Sequence, residues 1–405
     1  MLLDMASDGL RDDPPASFIA QVSALFPVEA EIDKCLTRKM ERRASGAFHR
    51  ASLEQIEGWF ARFLEANTKG PFRIANARWL NGGASKLQVA FELDWQDPAR
   101  GPLHETVVLR MEPAEALNTN SRRREFELLR AFRGVVPVPE TFFLDEDGTW
   151  FPEPTLVYGF ARGVTKPTTT ATGKVAGLGT DFGPELRAKL TPQFIDYLAK
   201  IHLFDHASAG FTSMDVPEVE TTQNALWQLN RARRVWEEDT GEVIPLMRVA
   251  ANWLERNMPT LDRVSVIHGD YRSGNFMFDE PTGQITAWLD WERGHLGDRH
   301  RDLAWTTQPS FGHYSEDGST YYVCGIAPED EFYRLYEEAS GLPVDFERIE
   351  YYRILNAYQL VVGTLATAYR VSRLGKTHQD VLLARLRALP PAFLDTLSNL
   401  LREKL

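Results

Sequence analysis

Two short apolar stretches, each ending in a carboxylate, constrain this chain more than any other part of its sequence. The first covers residues 264–267 and runs into Asp270, and Asn275 follows five residues later. The second covers residues 285–289 and runs directly into Asp290. Apolar runs of this length, bounded by turn residues, predict buried strands whose ends carry the acidic side chains. Both lie in the segment VSVIHGDYRSGNFMFDEPTGQITAWLDWERGHLGDRHRDLAW, residues 264–305.

The spacing D-x-[KR]-x-x-N, followed by an aspartate at a strand end, is the pattern that phosphoryl transfer from a magnesium nucleotide requires. Asp270 is the candidate catalytic base that orients the attacking hydroxyl. Asn275 and Asp290 would supply the hard oxygen ligands that Mg²⁺ prefers. Arg272 occupies the basic position and could neutralise the transferring phosphoryl group, although a solvated loop arginine is the alternative. The pattern therefore predicts ATP and Mg²⁺ as cofactors.

Three short motifs in this region together resemble one known family. They are HGDYRSGN at 268–275, LDWE at 289–292 and GDxxxDLAW at 297–305. An isolated HGD often marks only a strand end and a turn, so the ordered combination carries the resemblance. The chain resembles the aminoglycoside phosphotransferase and choline kinase-like family, in particular the kinase domains of acyl-CoA-dehydrogenase-like proteins. That resemblance implies a two-lobed, protein-kinase-like α+β fold, with a small antiparallel-sheet N-lobe and a larger, mainly helical C-lobe.

Three polar residues near the predicted base are expected to support the site. We expect His268 to lock the loop by hydrogen bonds rather than to transfer protons. Asp302 is expected to hold the backbone of this loop from the following helix, and Asp298 to cap that helix.

A glycine pair lies between two predicted strands near the start of the N-lobe. Gly82, Gly83 and Ser85 belong to the sequence Asn-Gly-Gly-Ala-Ser at 81–85. By resemblance this is the loop that covers the nucleotide phosphates, where backbone N–H groups approach phosphate oxygens. Considered alone, the glycine pair fits a plain hairpin turn equally well.

The resemblance also implies a charged pair and a hinge. It pairs Arg110, at the end of a predicted strand, with Glu125 on a predicted helix at 122–132; a surface salt bridge is the alternative. It assigns Tyr158 and Phe160 to the hinge whose backbone would bind adenine. Residues 161–182 follow, rich in Gly and Thr, and predict a lid over the cleft or a surface linker.

Helical patterns flank the predicted sheet. Ser52 and Gln55 form a possible capping box before an apolar stripe at 56–63, within a helical extension of residues 1–70. Thr191-Pro192 is expected to open a helix. Further helices are expected near 246–254, 329–339, 346–372 and 378–389. The expected division is 1–70 as extension, 71–158 as N-lobe and 159–405 as C-lobe.

Composition excludes several classes of protein. The formal net charge is −12, which argues against a nucleic-acid partner. No apolar run reaches the length of a membrane span, and acidic residues near the start are unlike a signal peptide. Cys35 and Cys324 are the only cysteines, which suits a reducing compartment. We therefore expect a cytoplasmic enzyme without a membrane partner.

Three functions fit these predictions. The first is transfer of the γ-phosphoryl group to a hydroxyl of a small molecule, with a hydroxyacyl compound or its CoA thioester as the expected acceptor. The second is an antibiotic O-phosphotransferase for aminoglycosides or macrolides. The mixed charge at 382–405 argues against a polycationic aminoglycoside. The third is a nucleotide-binding pseudokinase module, which the filled positions Asp270, Asn275 and Asp290 argue against.

Overall fold

The computed structural model describes residues 8–80, 86–170, 175–377, 383, 386 and 389–404. The α-helices are α1 Asp8–Asp12, α2 Ala16–Leu25, α3 Ala30–Glu41, α4 Leu53–Asn67, α5 Arg122–Phe132, α6 Gly183–Leu203, α7 Gln223–Asp239, α8 Pro245–Arg256, α9 His300–Thr306, α10 Glu329–Ser340, α11 Phe346–Val361, α12 Ala368–Arg373 and α13 Pro390–Arg402. The strands are β1 Arg73–Trp79, β2 Leu87–Asp97, β3 Gly101–Met111, β4 Thr141–Asp145, β5 Thr155–Gly159, β6 Ser265–Ile267, β7 Phe276–Asp279, β8 Gln284–Trp288, β9 His295–Gly297, β10 His313–Tyr314, β11 Tyr321–Val323 and β12 Ala327–Pro328.

A five-stranded antiparallel sheet forms the N-lobe, with the strand order β1-β2-β3-β5-β4. The long hairpin of β2 and β3 runs from Leu87 opposite Met111 to its turn. Helix α4 packs against this sheet through Ile56 and Phe60, and the Phe60 ring lies 5.4 Å from that of Phe91. The predicted apolar stripe of α4 is therefore confirmed as core packing, and its capping box at Ser52 is present.

The C-lobe is mainly helical and carries two short strand pairs that hold the predicted site. Strand β6 pairs with β9, and β7 pairs with β8 so that Phe276 lies opposite Trp288. The Trp288 ring stacks on Tyr271 at a centroid distance of 3.9 Å. Together with the N-lobe sheet, this gives the two-lobed α+β architecture that the sequence predicts.

The N-terminal helices are tied to both lobes by a buried arginine. Arg43 follows α3, and its Nη2 lies 2.7 Å from Glu115 Oε2 and 2.6 Å from Asp239 Oδ1. Glu115 follows β3 of the N-lobe, whereas Asp239 ends α7 of the C-lobe. The boundaries at residues 70 and 158 stay predictions.

One predicted helix start is wrong. Thr191-Pro192 does not open α6, which begins two turns earlier at Gly183, with Pro184 in its first turn. Proline is tolerated in a first turn because its missing N–H would lack a helical partner there. Pro192 lies inside the helix, next to the Thr191 hydroxyl, which donates to the carbonyl oxygen of Arg187 at 2.7 Å.

The helix predicted near 346–372 is present as α11, a π-helical segment Val362–Thr367 and α12 in direct succession. The helix predicted at 378–389 lies largely outside the described residues. Within the part of the chain that the structure describes, no helix combines the length and the apolar character needed to cross a membrane.

Candidate active site

The carboxylate of Asp270 is held by three side-chain donors. Asn275 Nδ2 donates to Oδ2 at 2.7 Å, and Arg272 Nε donates to Oδ1 at 3.0 Å. The indole Nε1 of Trp305, on α9, also donates to Oδ1, at 2.5 Å. These contacts fix the direction of the carboxylate. The structure therefore brings Asp270, Arg272 and Asn275 together, as their spacing predicts.

Asp302 holds the backbone of the loop that carries this carboxylate. It accepts hydrogen bonds from the backbone N–H groups of His268 at 2.7 Å and Gly269 at 2.8 Å. Burial acts to raise the pKa of Asp302. Hydrogen bonds from His202 and from this backbone lower the pKa by a larger amount, so it lies below its usual value. The predicted supporting role of Asp302 is confirmed. Gly269 has φ +81°, and a Cβ there would lie 2.6 Å from the carbonyl oxygen of Arg293.

A single neutral tautomer of His268 satisfies both of its hydrogen bonds. Nδ1 accepts from the backbone N–H of Asp270 at 3.2 Å, and Nε2 lies 3.1 Å from the carbonyl oxygen of Leu289. Burial lowers the pKa of His268 below its usual value and favours this neutral form. The predicted locking role is confirmed. Asp298 likewise accepts from the backbone N–H of His300 at 3.0 Å, at the start of α9.

The β7–β8 hairpin brings Asn275 and Asp290 to its same end. Asn275 directly precedes β7, and its carbonyl oxygen accepts from the N–H of Leu289 at 2.7 Å. Asp290 follows in the left-handed region, φ 63°, and its side chain is about one third exposed, at 32%. Burial acts to raise the pKa of Asp290, but the charge and hydrogen bond of Arg110 outweigh this effect. The pKa therefore lies below its usual value and the carboxylate stays ionised. Two hard oxygen ligands on adjacent segments fit a magnesium ion that takes its remaining ligands from phosphates and water.

Arg110 connects the N-lobe to the end of this hairpin. Its guanidinium lies 2.7 Å from Glu125 and 2.9 Å from Glu292, and it also pairs with Asp290. Burial lowers the pKa of Arg110, but these carboxylates raise it well above its usual value. The Arg110–Glu125 pair is buried, so the alternative of a surface salt bridge is wrong.

Lys86 is a buried cation that the sequence reasoning missed. Its Nζ lies 2.5 Å from Glu112 and 3.6 Å from Glu292, and its side chain has no exposed surface. Arg122 completes the cluster, with its Nε 2.6 Å from Glu112. Lys86 directly follows the predicted phosphate loop. The signal that could have identified Lys86 is the pairing of β2 with β3. Leu87 lies opposite Met111, so Lys86 and Glu112 are the next residues beyond the two strands.

Other predicted nucleotide contacts are described only in part. Gly82, Gly83 and Ser85 lie outside the described residues. Tyr158 is buried in β5, and burial raises the pKa of its hydroxyl to about 12. The N–H groups of Gly159 and Phe160 donate to Glu140 at 2.7 Å and Thr106 at 2.9 Å. A hinge contact to adenine would therefore use carbonyl oxygens or later N–H groups.

The segment predicted as a lid or linker packs against the site at two described points. Val164 pairs with Phe278 of β7 through two backbone hydrogen bonds of 2.9 and 3.0 Å. Gly177, with φ +75°, lies so close to the catalytic loop that a Cβ would be 1.7 Å from the carbonyl oxygen of Ser273. Whether 161–182 acts as a lid stays a prediction.

Comparison with known families agrees with this geometry. The model of the phosphotransferase enzyme family matches residues 78–339, which is more than half of the chain and includes every predicted site residue. The chain belongs to this phosphotransferase family. The family assignment confirms the resemblance and the enzyme class predicted from the motifs, a small-molecule kinase.

Among curated proteins, this phosphotransferase family member is similar to acyl-CoA dehydrogenase family member 10 of Mus musculus, with 24% identity over 67% of the chain and 25% of that protein. It is also 26% identical to acyl-CoA dehydrogenase family member 11 of Gallus gallus, over 77% of the chain and 39% of that protein. The chain thus spans between a quarter and two fifths of the length of these relatives.

The fold of this chain is similar to that of a protein with a solved structure. A Ralstonia eutropha protein assigned as an aminoglycoside phosphotransferase superposes with a TM-score of 0.57 and 22% identity, covering 86% of this chain and 99% of that one. This similarity confirms the predicted kinase-like fold.

Proposed function

We propose that the chain transfers the γ-phosphoryl group of ATP to a hydroxyl group of a small molecule in the cytoplasm. The observation that carries this proposal is the Asp270 carboxylate, which is fixed by hydrogen bonds from Arg272, Asn275 and Trp305. A binding module would have no need of an oriented carboxylate at this position. The proposed acceptor is a hydroxyacyl compound or its CoA thioester.

In this proposal Asp270 accepts a hydrogen bond from the acceptor hydroxyl and orients it for attack. Proton transfer to the carboxylate comes late, because the transition state of phosphoryl transfer is loose. Arg272, which lies against Asp270, would face the charge that develops on the transferring group. Trp305 keeps the carboxylate in position while the acceptor binds.

The nucleotide would be held from both lobes. Asn275 and Asp290 are the residues that would hold Mg²⁺, and the ion would neutralise charge on the phosphates. Arg110, oriented by Glu125, and the loop with Gly82, Gly83 and Ser85 are the proposed phosphate contacts. The backbone of Tyr158 to Phe160 is the proposed adenine contact.

The test is phosphorus NMR of the protein with magnesium and ATP, in the presence of 3-hydroxybutyryl-CoA or of kanamycin. We expect a new phosphoester signal with the hydroxyacyl compound and little or none with the amine. The variant Asp270→Asn should slow the appearance of the signal by on the order of 10²–10⁴, whereas Asp196→Asn, a matched change in a surface ion pair, should keep the native rate. Nucleotide binding without turnover of any hydroxyl compound would instead indicate a pseudokinase module.

A further inference from the structure

Among the residues that the structure describes, three arginines beside the candidate site have no carboxylate ion-pair partner. Arg231 lies on α7, Arg293 follows Asp290, and Arg301 lies on α9. Arg231 donates to the oxygen atoms of Thr119 and Asn120, at 2.7 and 2.8 Å. Within the described ranges, no carboxylate oxygen lies within ion-pair distance of any of the three guanidinium groups.

Of the three, Arg301 is buried, and its lack of a carboxylate partner distinguishes it from the other buried arginines near the lobe interface. Each of those has at least one carboxylate partner, as general electrostatics requires for a charge removed from water. The pairs are Arg43 with Glu115 and Asp239, Arg110 with Glu125, Arg122 with Glu112, Arg234 with Glu238, and Arg370 with Asp8. Arg231 and Arg293 are partly exposed, and together with Arg301 they form a local excess of positive charge.

The three guanidinium groups are close enough to repel one another. Burial lowers the pKa of Arg301 to about 9, and the charges of Arg293 and Arg231 contribute to that decrease. Burial likewise lowers the pKa of Arg231 to about 10, again with a contribution from Arg293. The carboxylates of Glu29 and Asp302 oppose these shifts without cancelling them. An oxyanion bound among the three would remove this repulsion.

Arg301 also has N–H groups that form no hydrogen bond with any described residue. Its side chain is only 4% exposed, and Nη2 donates to Gln359 Oε1 at 2.6 Å. Its Nε and Nη1 are buried and have no hydrogen-bond partner among the described residues. On the neighbouring helix α11, one turn before Gln359, both side-chain atoms of Asn356 are in the same situation. Buried polar atoms almost always have partners, so these donors are suited to a ligand.

The arginines share a wall with the candidate catalytic base. The Arg293 guanidinium lies over the Trp305 ring, 4.2 Å from its centroid. The Nε1–H of the same indole donates to Asp270. Arg301 lies one turn before Trp305 on α9. Trp305 thus contacts both Asp270 and Arg293, so the arginines lie close to the position proposed for the acceptor hydroxyl.

We propose that Arg231, Arg293 and Arg301 form a subsite for an oxyanion, a carboxylate or a phosphate, carried by the phosphoryl acceptor at a distance from its reacting hydroxyl. This rests on the proposed function, because it takes Asp270 to mark the position of the hydroxyl. It specifies the acceptor class as anionic and disfavours polycationic acceptors, whose ammonium groups the three arginines would repel.

The kinetic test compares two acceptors with the same hydroxyacyl group, 3-hydroxybutyryl-CoA and the uncharged 3-hydroxybutyryl-pantetheine. For Arg301→Gln and Arg231→Gln we expect KM for the charged acceptor to rise about tenfold or more, the effect of losing a charge-assisted hydrogen bond. The kcat, the KM for the uncharged acceptor and the affinity for AMP-PNP should change little. Arg334→Gln, in an exposed ion pair, is the matched control.

Equal losses for the two acceptors would overturn the proposal, and so would weaker AMP-PNP binding, which would assign the arginines to the nucleotide. If the uncharged acceptor is phosphorylated and charge makes no difference, only the subsite fails and the proposed function stands. If neither acceptor is phosphorylated, the proposed acceptor class fails, and a binding measurement decides the subsite separately.

That measurement is thermal unfolding with saturating magnesium AMP-PNP, with added sodium pyrophosphate or succinate, against sodium chloride at equal ionic strength. We expect an anion-dependent increase in Tm in the native chain and in Arg334→Gln, and its loss in Arg301→Gln. The two probes separate a phosphate subsite from a carboxylate subsite. Equal increases in all three proteins, or none in any, would contradict the subsite.

Discussion

At the scale of single residues, the two acidic groups of the site have different surroundings, so their substitution should have different effects on binding and on rate. Asp270 is held by Arg272, Asn275 and Trp305, whereas Asp290 is one third exposed and pairs with Arg110. Asp270→Asn should bind magnesium ATP almost normally and lose on the order of 10²–10⁴ in kcat, the usual contribution of a positioned acid–base group. Asp290→Asn should lose metal and nucleotide affinity together, because it removes the charge opposite the metal.

Isothermal titration with nucleotide and magnesium, alongside single-turnover rates, checks this difference. The roles would have to be exchanged if Asp270→Asn abolished nucleotide binding while Asp290→Asn retained it. Full activity in both variants would contradict the proposed function itself.

Arg272 is the second residue whose role can be isolated. Its guanidinium contacts Asp270 and lies 5.1 Å from the centroid of the Phe311 ring, so its position is well defined. Arg272→Ala should lower kcat strongly and leave nucleotide affinity nearly unchanged, because its charge matters most in the transition state. Arg272→Lys should recover part of the rate, and Arg334→Ala is the surface control. An unchanged kcat in Arg272→Ala would favour the alternative that Arg272 is a loop arginine without a role in phosphoryl transfer.

The sequence located these residues because their spacing is local and their chemistry is specific. Asp270, Asn275 and Asp290 follow strands that a simple apolar pattern reveals. Lys86 escaped notice because its partners Glu112 and Glu292 lie far away in sequence. The arginine subsite was missed for the same reason, since the absence of a nearby carboxylate becomes visible only after folding.

At the scale of elements, the segment 175–182 is held against the catalytic loop by a contact that only glycine allows. Gly177 and Gly134 both have positive φ, +75° and +84°, but only Gly177 has a near neighbour, Ser273. Gly177→Ala and Gly134→Ala should therefore share the cost of left-handed backbone, about 1–2 kcal/mol. Only Gly177→Ala should displace the loop and lower kcat. Equal Tm and kcat in the two variants would show that this contact has no catalytic consequence.

Elements with strong local signals were predicted well, and those with competing signals were not. The helix α5 and the capping box of α4 match the predictions because caps and apolar spacing agree there. The predicted start of α6 was wrong because both Pro184 and Pro192 fit the first turn of a helix. The helix continues past Pro192, where the hydroxyl of Thr191 donates to the carbonyl oxygen of Ile326. Local sequence does not contain that contact.

At the scale of the whole molecule, buried histidines should make stability depend on pH. Burial lowers the pKa values of His202, His268 and His295, the last to about 3. In the unfolded chain they titrate near pH 6.5, so below that pH the unfolded state binds more protons than the folded state. Their contribution is therefore complete above about pH 6.5 and decreases as the pH falls.

We expect Tm to decrease between pH 7 and pH 5, as measured by calorimetry at constant ionic strength. His295→Gln should show a shallower decrease than the native chain. His49→Gln, at an exposed position, should retain the native slope. A Tm that stays constant over this range in the native chain would contradict the expected dependence.

The double attachment of Arg43 has a mechanical consequence. The chain passes between the two lobes near Gly159, at the proposed hinge, and Arg43 joins them a second time through Glu115 and Asp239. Two fixed points define an axis, so relative motion that preserves both is a rotation about the line between them. The ion pairs of Arg110, Arg122 and Lys86 with Glu292 also join the lobes and oppose such a rotation. Arg43 thus limits how far the two lobes can separate, because opening of the cleft must either preserve its contacts with Glu115 and Asp239 or break them.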